Sequence, residues 1–160
     1  MINRWLITNG LTIILILSVS FYRGYDSNAV LFGKLLGQGA FVLFLVNLNM
    51  YFVFLLIRKS RVRDVKVRLA GISKRMMKYH IPLAVTGTVL IAGHAILMGY
   101  AHFESLLQAK TISGAVAIAL LGTVLFTGYR RHKKSTGKRR KNHYTTAFIF
   151  IAIVFGHIFL

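Results

Sequence analysis

Two runs of the chain, KYHIPLAVTGTVLIAGH at 78–94 and KNHYTTAFIFIAIVFGH at 141–157, share one pattern: Lys-x-His, twelve residues, then Gly-His. His80 and His94 are 14 residues apart, as are His143 and His157. On an α-helix that spacing is a rise of about 21 Å and a rotation about 40° short of four full turns. Both histidines of a run therefore lie on one face, one toward each end. Neutral imidazole is a good metal ligand. Two imidazoles facing each other across a helix pair suit a six-coordinate haem iron, one nitrogen on each side of the macrocycle. A zinc site would need three or four ligands gathered at one point. The only acidic residues, Asp26, Asp64 and Glu104, fall between apolar runs.

The elements that must position these histidines are membrane helices. Of the 160 residues, 56% are hydrophobic, and only three are acidic. Apolar runs near 20 residues long, separated by basic connections, read as transmembrane helices. The strict alternation of a membrane β-barrel is absent. Five spans are expected, at 5–22, 35–57, 81–101, 111–129 and 144–160. The fold class is thus all-α, a polytopic membrane helix bundle forming a single integral membrane domain over 1–160. The first run is read as a span rather than a cleavable signal, because its exit FYRGYDSN has no small-x-small site. No stretch is long enough for a separate soluble nucleotide or flavin domain.

Charge orients the bundle. Nine Lys or Arg fall in 58–78 and eight in 130–141, whereas the other two connections hold only Arg23, Lys34 and Lys110. Basic loops stay in the cytoplasm, so the N-terminus is expected inside and the C-terminus outside. The third and fifth spans then run parallel. His80 lies level with His143 on the inner side, and His94 with His157 on the outer side. Juxtamembrane basic loops and anionic lipid headgroups account for the net charge of +18, and no nucleic-acid partner is expected. An acidic cytoplasmic protein is a further partner that such loops would suit.

The neighbours of the histidines fit a flat cofactor. Gly93 and Gly156 precede the outer histidines and would thin the helices there. Gly87 lies midway between His80 and His94, where it would leave room. Phe150 lies at the matching midpoint of the other helix, where it would pack between two cofactors. Glycine also serves simply as a packing residue in membrane helices. His94 and His157 sit inside apolar runs, where an ionisable residue is costly and marks function. His132 lies in RRHKKSTGKRR and reads as solvated, and His102 as interfacial. Arg75, Lys78, Arg140 and Lys141 are candidate partners for carboxylates of an inner cofactor. The absence of cysteine excludes Fe–S clusters and covalent haem attachment.

At these residues the chain resembles the ferric reductase-like transmembrane domain superfamily. That superfamily includes the NADPH oxidases, the ferric reductases and the haem-binding membrane subunit of methionine sulfoxide reductase. The resemblance covers roughly 78–101 and 141–160; the first two spans match only in hydrophobicity. It implies two haem b per chain, an inner one on His80 and His143 and an outer one on His94 and His157. Members commonly have six spans, and the oxidases carry a fused flavin and nicotinamide domain. Neither feature is read here, so the electron donor would be a separate molecule.

The expected function is transmembrane electron transfer through two stacked bis-His b-type haems. The chain would serve as the membrane cytochrome component of an oxidoreductase in a bacterial cytoplasmic membrane. The donor would be a separate cytoplasmic flavin reductase or membrane quinol, and the acceptor would be extracytoplasmic. Gln38, Asn47 and Asn49 are the polar residues that a quinol could use, although interhelical hydrogen bonding is the expected job of the two asparagines. The alternative is a non-catalytic membrane anchor or assembly subunit of a larger redox complex. A transporter would want intramembrane carboxylates or broken helices, whereas the spans hold no Asp or Glu and Pro82 is read as a helix start.

Overall fold

Helix-forming aliphatic and basic residues dominate the chain, and glycine and polar caps mark its turns. In the computed structural model, which describes residues 2–105 and 107–160 without the side chains of 2–6, 21 and 105, these yield an all-helical bundle. Its helices are α1 (Ile2–Tyr22), α2 (Asn28–Lys59), α3 (Arg63–Ala101), α4 (Ala109–Lys133) and α5 (Gly137–Phe159), with a 3-10 turn at Phe103–Ser105. Gly24, at φ 62°, turns the chain out of α1 in a conformation that other residues rarely adopt. Ser27 then caps α2 by accepting from Val30 N–H, and Thr136 caps α5 by accepting from Arg139 N–H.

Four helices, α2 to α5, are long and apolar enough to cross a membrane; the apolar stretch described in α1, Ile7–Ser20, is shorter. Only 6% of the most apolar stretch of α3, and 6% of that of α5, is buried within the protein. Val89 and Ile96 of α3 are 65% and 71% exposed. So large an apolar surface suits an integral membrane protein with lipid around it.

The structure corrects two expectations. The connection expected at 58–78 is helix almost throughout, because α2 continues to Lys59 and α3 begins at Arg63. Lys and Arg are good helix formers, and the end of an apolar run marks where lipid ends, not where the helix does. With 39 residues, α3 is about 58 Å long, well beyond the hydrocarbon thickness of about 30 Å. The connection at 130–141 shrinks in the same way, to the few residues between Lys133 and Gly137. Pro82, read as a helix start, lies inside α3. Membrane helices tolerate an internal proline; close to it, the Asn47 amide of α2 donates to the His80 carbonyl at 3.1 Å and ties α2 to α3.

The bundle is two antiparallel hairpins, α2–α3 and α4–α5, each closely packed within itself. Between hairpins the backbones approach much less, most of all through α2 and α5. Near the middle, Phe150 is buried with Ala117 and Leu121, and Phe44 and Ile91 pack against them. Phe44 meets Phe150 edge-on at 5.3 Å. Phe150→Ala is expected to cost about 3–5 kcal/mol, whereas Val89→Ala on the exposed face should change stability by less than about 0.5 kcal/mol. Thermal unfolding in detergent measures both, and equal losses would contradict this central packing.

Candidate functional site

The structure brings the four predicted histidines together in two pairs. His80 of α3 faces His143 of α5, with ring centroids 6.2 Å apart and planes at 85°. His94 faces His157 at 6.3 Å and 86°. The pairing makes α3 and α5 parallel, with the pairs about 21 Å apart along the helices.

Three rings have Nδ1 committed. His94 Nδ1–H donates to the Gly33 carbonyl of α2 at 2.7 Å. His157 Nδ1–H lies 3.1 Å from the Lys110 carbonyl and 3.0 Å from Ser113 Oγ, both on α4. The Ser113 hydroxyl spends its own proton on Lys110 O, so its oxygen can only accept from the ring. Thr127 repeats this device: it donates to Val124 O and accepts from His143 Nδ1–H at 3.3 Å. A neutral imidazole has one N–H, so a proton held on Nδ1 leaves Nε2 with a bare lone pair. Such hydrogen bonding orients metal-ligating histidines and raises their basicity.

Glycines let the neighbouring helices reach these rings. A Cβ on Gly37 would sit 2.9 Å from His94 Nδ1, one on Gly114 3.1 Å from His157 Cε1, and one on Gly128 3.1 Å from His143 Cε1. Ser113-Gly114 and Thr127-Gly128 thus form a 14-residue repeat on α4 that matches the histidine repeat on α5. Sequence reasoning missed it, although comparing spacings between the fourth and fifth spans would have found it. It also missed Arg131, which acts electrostatically on both inner rings, and Lys110, which acts on both outer ones.

The other predicted site residues are less uniform. Gly87 is buried, and the Phe44 ring fills the space its side chain would take, with Phe44 Cζ 3.0 Å from a Cβ there. Leu36 Cδ1 packs at 3.0 Å against the corresponding point of Gly93, while Gly156 opens onto free space. Phe150 lies in the core between the two histidine layers. Asn47 and Asn49 make interhelical hydrogen bonds, the latter to Asn9 Oδ1 at 2.9 Å. Gln38 lines a cavity of about 20 Å³ with Lys34 and Tyr25, room for about one water and not for a quinone ring.

The pairs can do one thing well. Two metal–nitrogen bonds of about 2.0–2.1 Å in line through one ion put the nitrogens about 4 Å apart, and the ring centres on the order of 6 Å apart. Both pairs match that separation. No group of three or more His, Asp or Glu side chains gathers among the described residues, so each pair offers two ligands and no more. Comparison with known proteins returns no matching family model, no similar curated protein and no matching solved structure.

Packing of glycine on imidazole makes a direct prediction. Gly114→Val and Gly128→Val should each destabilise the bundle by about 1–3 kcal/mol through overpacking. Gly122→Val, on the same helix with nothing within 4 Å of its Cβ position, should be close to neutral. Unfolding in detergent distinguishes the three, and equal effects would remove the glycine cradles from the account.

Proposed function

We propose that the chain is a stand-alone membrane cytochrome, similar to the ferric reductase-like domain, that carries electrons across a bacterial cytoplasmic membrane. His80 and His143 would hold an inner haem b, and His94 and His157 an outer one. The observation that carries this reading is two isolated imidazole pairs, 6.2 and 6.3 Å apart. A metal ion with only two protein ligands must bring its equatorial ligands with it, and a porphyrin does so. When bound, each haem supplies a one-electron ferric/ferrous couple, whose potential the axial ligands and their surroundings tune.

The residues divide the remaining work. The four histidines would hold the two haems, two to each, and the chemistry supplied would be electron transfer without a substrate binding at iron. Ser113, Thr127 and the Gly33 and Lys110 carbonyls hold the ring protons away from the metal side. Phe44 and Phe150 keep water out of the space between the layers. Arg131 near the inner rings and Lys110 near the outer ones join Arg75, Lys78, Arg140 and Lys141 as candidate cations for the carboxylates of these groups. In this reading five spans cross the bilayer, with the N-terminus inside, the C-terminus outside and the basic hairpin tips in the cytoplasm. A separate flavoprotein or membrane quinol would donate there, and an extracytoplasmic acceptor would take the electrons on the other side.

Two measurements test the proposal. The purified protein should show oxidised and reduced spectra of low-spin b-type haem at two per chain. His94→Ala should lower this to about one while His143→Ala spares the outer group. Protein made with haem available yet free of it would leave the repeated histidines as helix packing, in a membrane anchor. The chain has no cysteine, so Ser60→Cys at the α2–α3 tip is a unique label. It should react with membrane-impermeant maleimide only after the cytoplasmic side is opened, and labelling of intact cells would reverse the orientation.

A further inference from the structure

His80 Nδ1 is the one buried side-chain nitrogen or oxygen without a hydrogen-bond partner among the described residues. The other three ligand histidines all have one. The difference traces to α2. That helix meets His94 with the Gly33 carbonyl and the flat surface of Gly37. Fourteen residues further along α2, at the level of His80, stand Asn47 and Tyr51. Tyr51 carries a ring packed against Tyr144 at 5.0 Å and Phe148 at 5.1 Å, so an imidazole cannot lie against the backbone there as it does at Gly37. Asn47 spends its amide on the His80 carbonyl and not on the ring. Helix α4 builds the cradle twice, and α2 builds it once.

The missing bond has an electronic consequence. An imidazole whose Nδ1–H donates to a carbonyl gains imidazolate character, and its Nε2 becomes a stronger donor. Stronger axial donation stabilises the oxidised, more positive metal and lowers its reduction potential. The outer pair has both rings so bonded, each within reach of a backbone carbonyl. The inner pair has one such ring, His143, whose acceptors are Thr127 Oγ1 at 3.3 Å and the Val124 carbonyl, while His80 has none.

The geometry points to unequal sites: the metal held by His80 and His143 has the higher reduction potential, and the unpartnered Nδ1 of His80 is the main reason. This inference rests on the haem reading above. Inner reduction then comes first when electrons are scarce, and the outer group is the stronger reductant.

Redox potentiometry of the purified protein, followed optically, tests the order. Two components are expected. His157→Leu, which removes an outer ligand, should abolish the lower-potential component and keep the higher; His94→Leu gives the same test should the first variant fold poorly. Thr127→Val, which takes away one of the two acceptors beside His143 and leaves the Val124 carbonyl, should shift the higher component positive and leave the lower in place. Wild-type protein without haem would remove the reading on which the inference rests. Two haems with a single potential, or with the higher component lost in the outer-ligand variants, would overturn the inference alone. Thr127→Val shifting neither component would remove Nδ1 bonding as the cause.

Discussion

Around three of the four paired histidines the surroundings hold a proton on Nδ1 of a buried ring, which leaves the other nitrogen bare. An unpaired buried N–H is expensive, and a ring free to choose its tautomer is a poorly defined ligand. The bundle answers with backbone carbonyls and back-bonded hydroxyls. Ser113 and Thr127 first spend their protons on carbonyls three residues earlier, which forces their oxygens to accept. The tautomer of His143 and His157 is thereby set by the hydrogen bonding of α4, one helix away from the rings.

That arrangement divides the helices by role. α3 and α5 carry the rings, and α2 and α4 carry what the rings lean on. The glycines at 37, 114 and 128 are needed because a helix backbone can serve a neighbouring imidazole only if no side chain stands between them. α1 stands outside this division and acts as a tie. Its Asn9 bonds Asn49 of α2, an interhelical bond worth about 0.6 kcal/mol on average. Arg23, just after it, donates to the Phe159 carbonyl at the end of α5, where a cation also favours the helix dipole.

The helical class, the histidine pairing and the parallel run of the third and fifth spans were legible because periodicity and spacing are local properties of the sequence. The cradles were not, because a small residue next to a hydroxyl residue is ordinary in a membrane helix and gains meaning only when its partner ring is placed. Gly87 illustrates the limit. Its position on the histidine face was readable, but Phe44, from another helix, takes the space. Arg131, which acts electrostatically on both inner rings, was not picked out because its place beside them depends on how α4 packs against α3 and α5. The helix ends failed for a different reason: hydropathy reports the lipid boundary, and α3 runs past it.

The packing has a further consequence for how the two halves stay aligned. Each hairpin is tight within itself, but between hairpins the contacts are sparse and centre on Phe44, Phe150 and their neighbours. The histidine layers lie on either side of that small core, so the 6.2 and 6.3 Å separations depend on contacts with little area behind them. On the haem reading, a broad apolar ring at each layer would supply that area, and its iron would tie α3 to α5. Binding would then contribute directly to the stability of the folded bundle, as any ligand that binds only the native state does. The fourth corner, at His80, is where the surrounding helices contribute least to ring orientation, and on that reading a bond to the metal would matter most there.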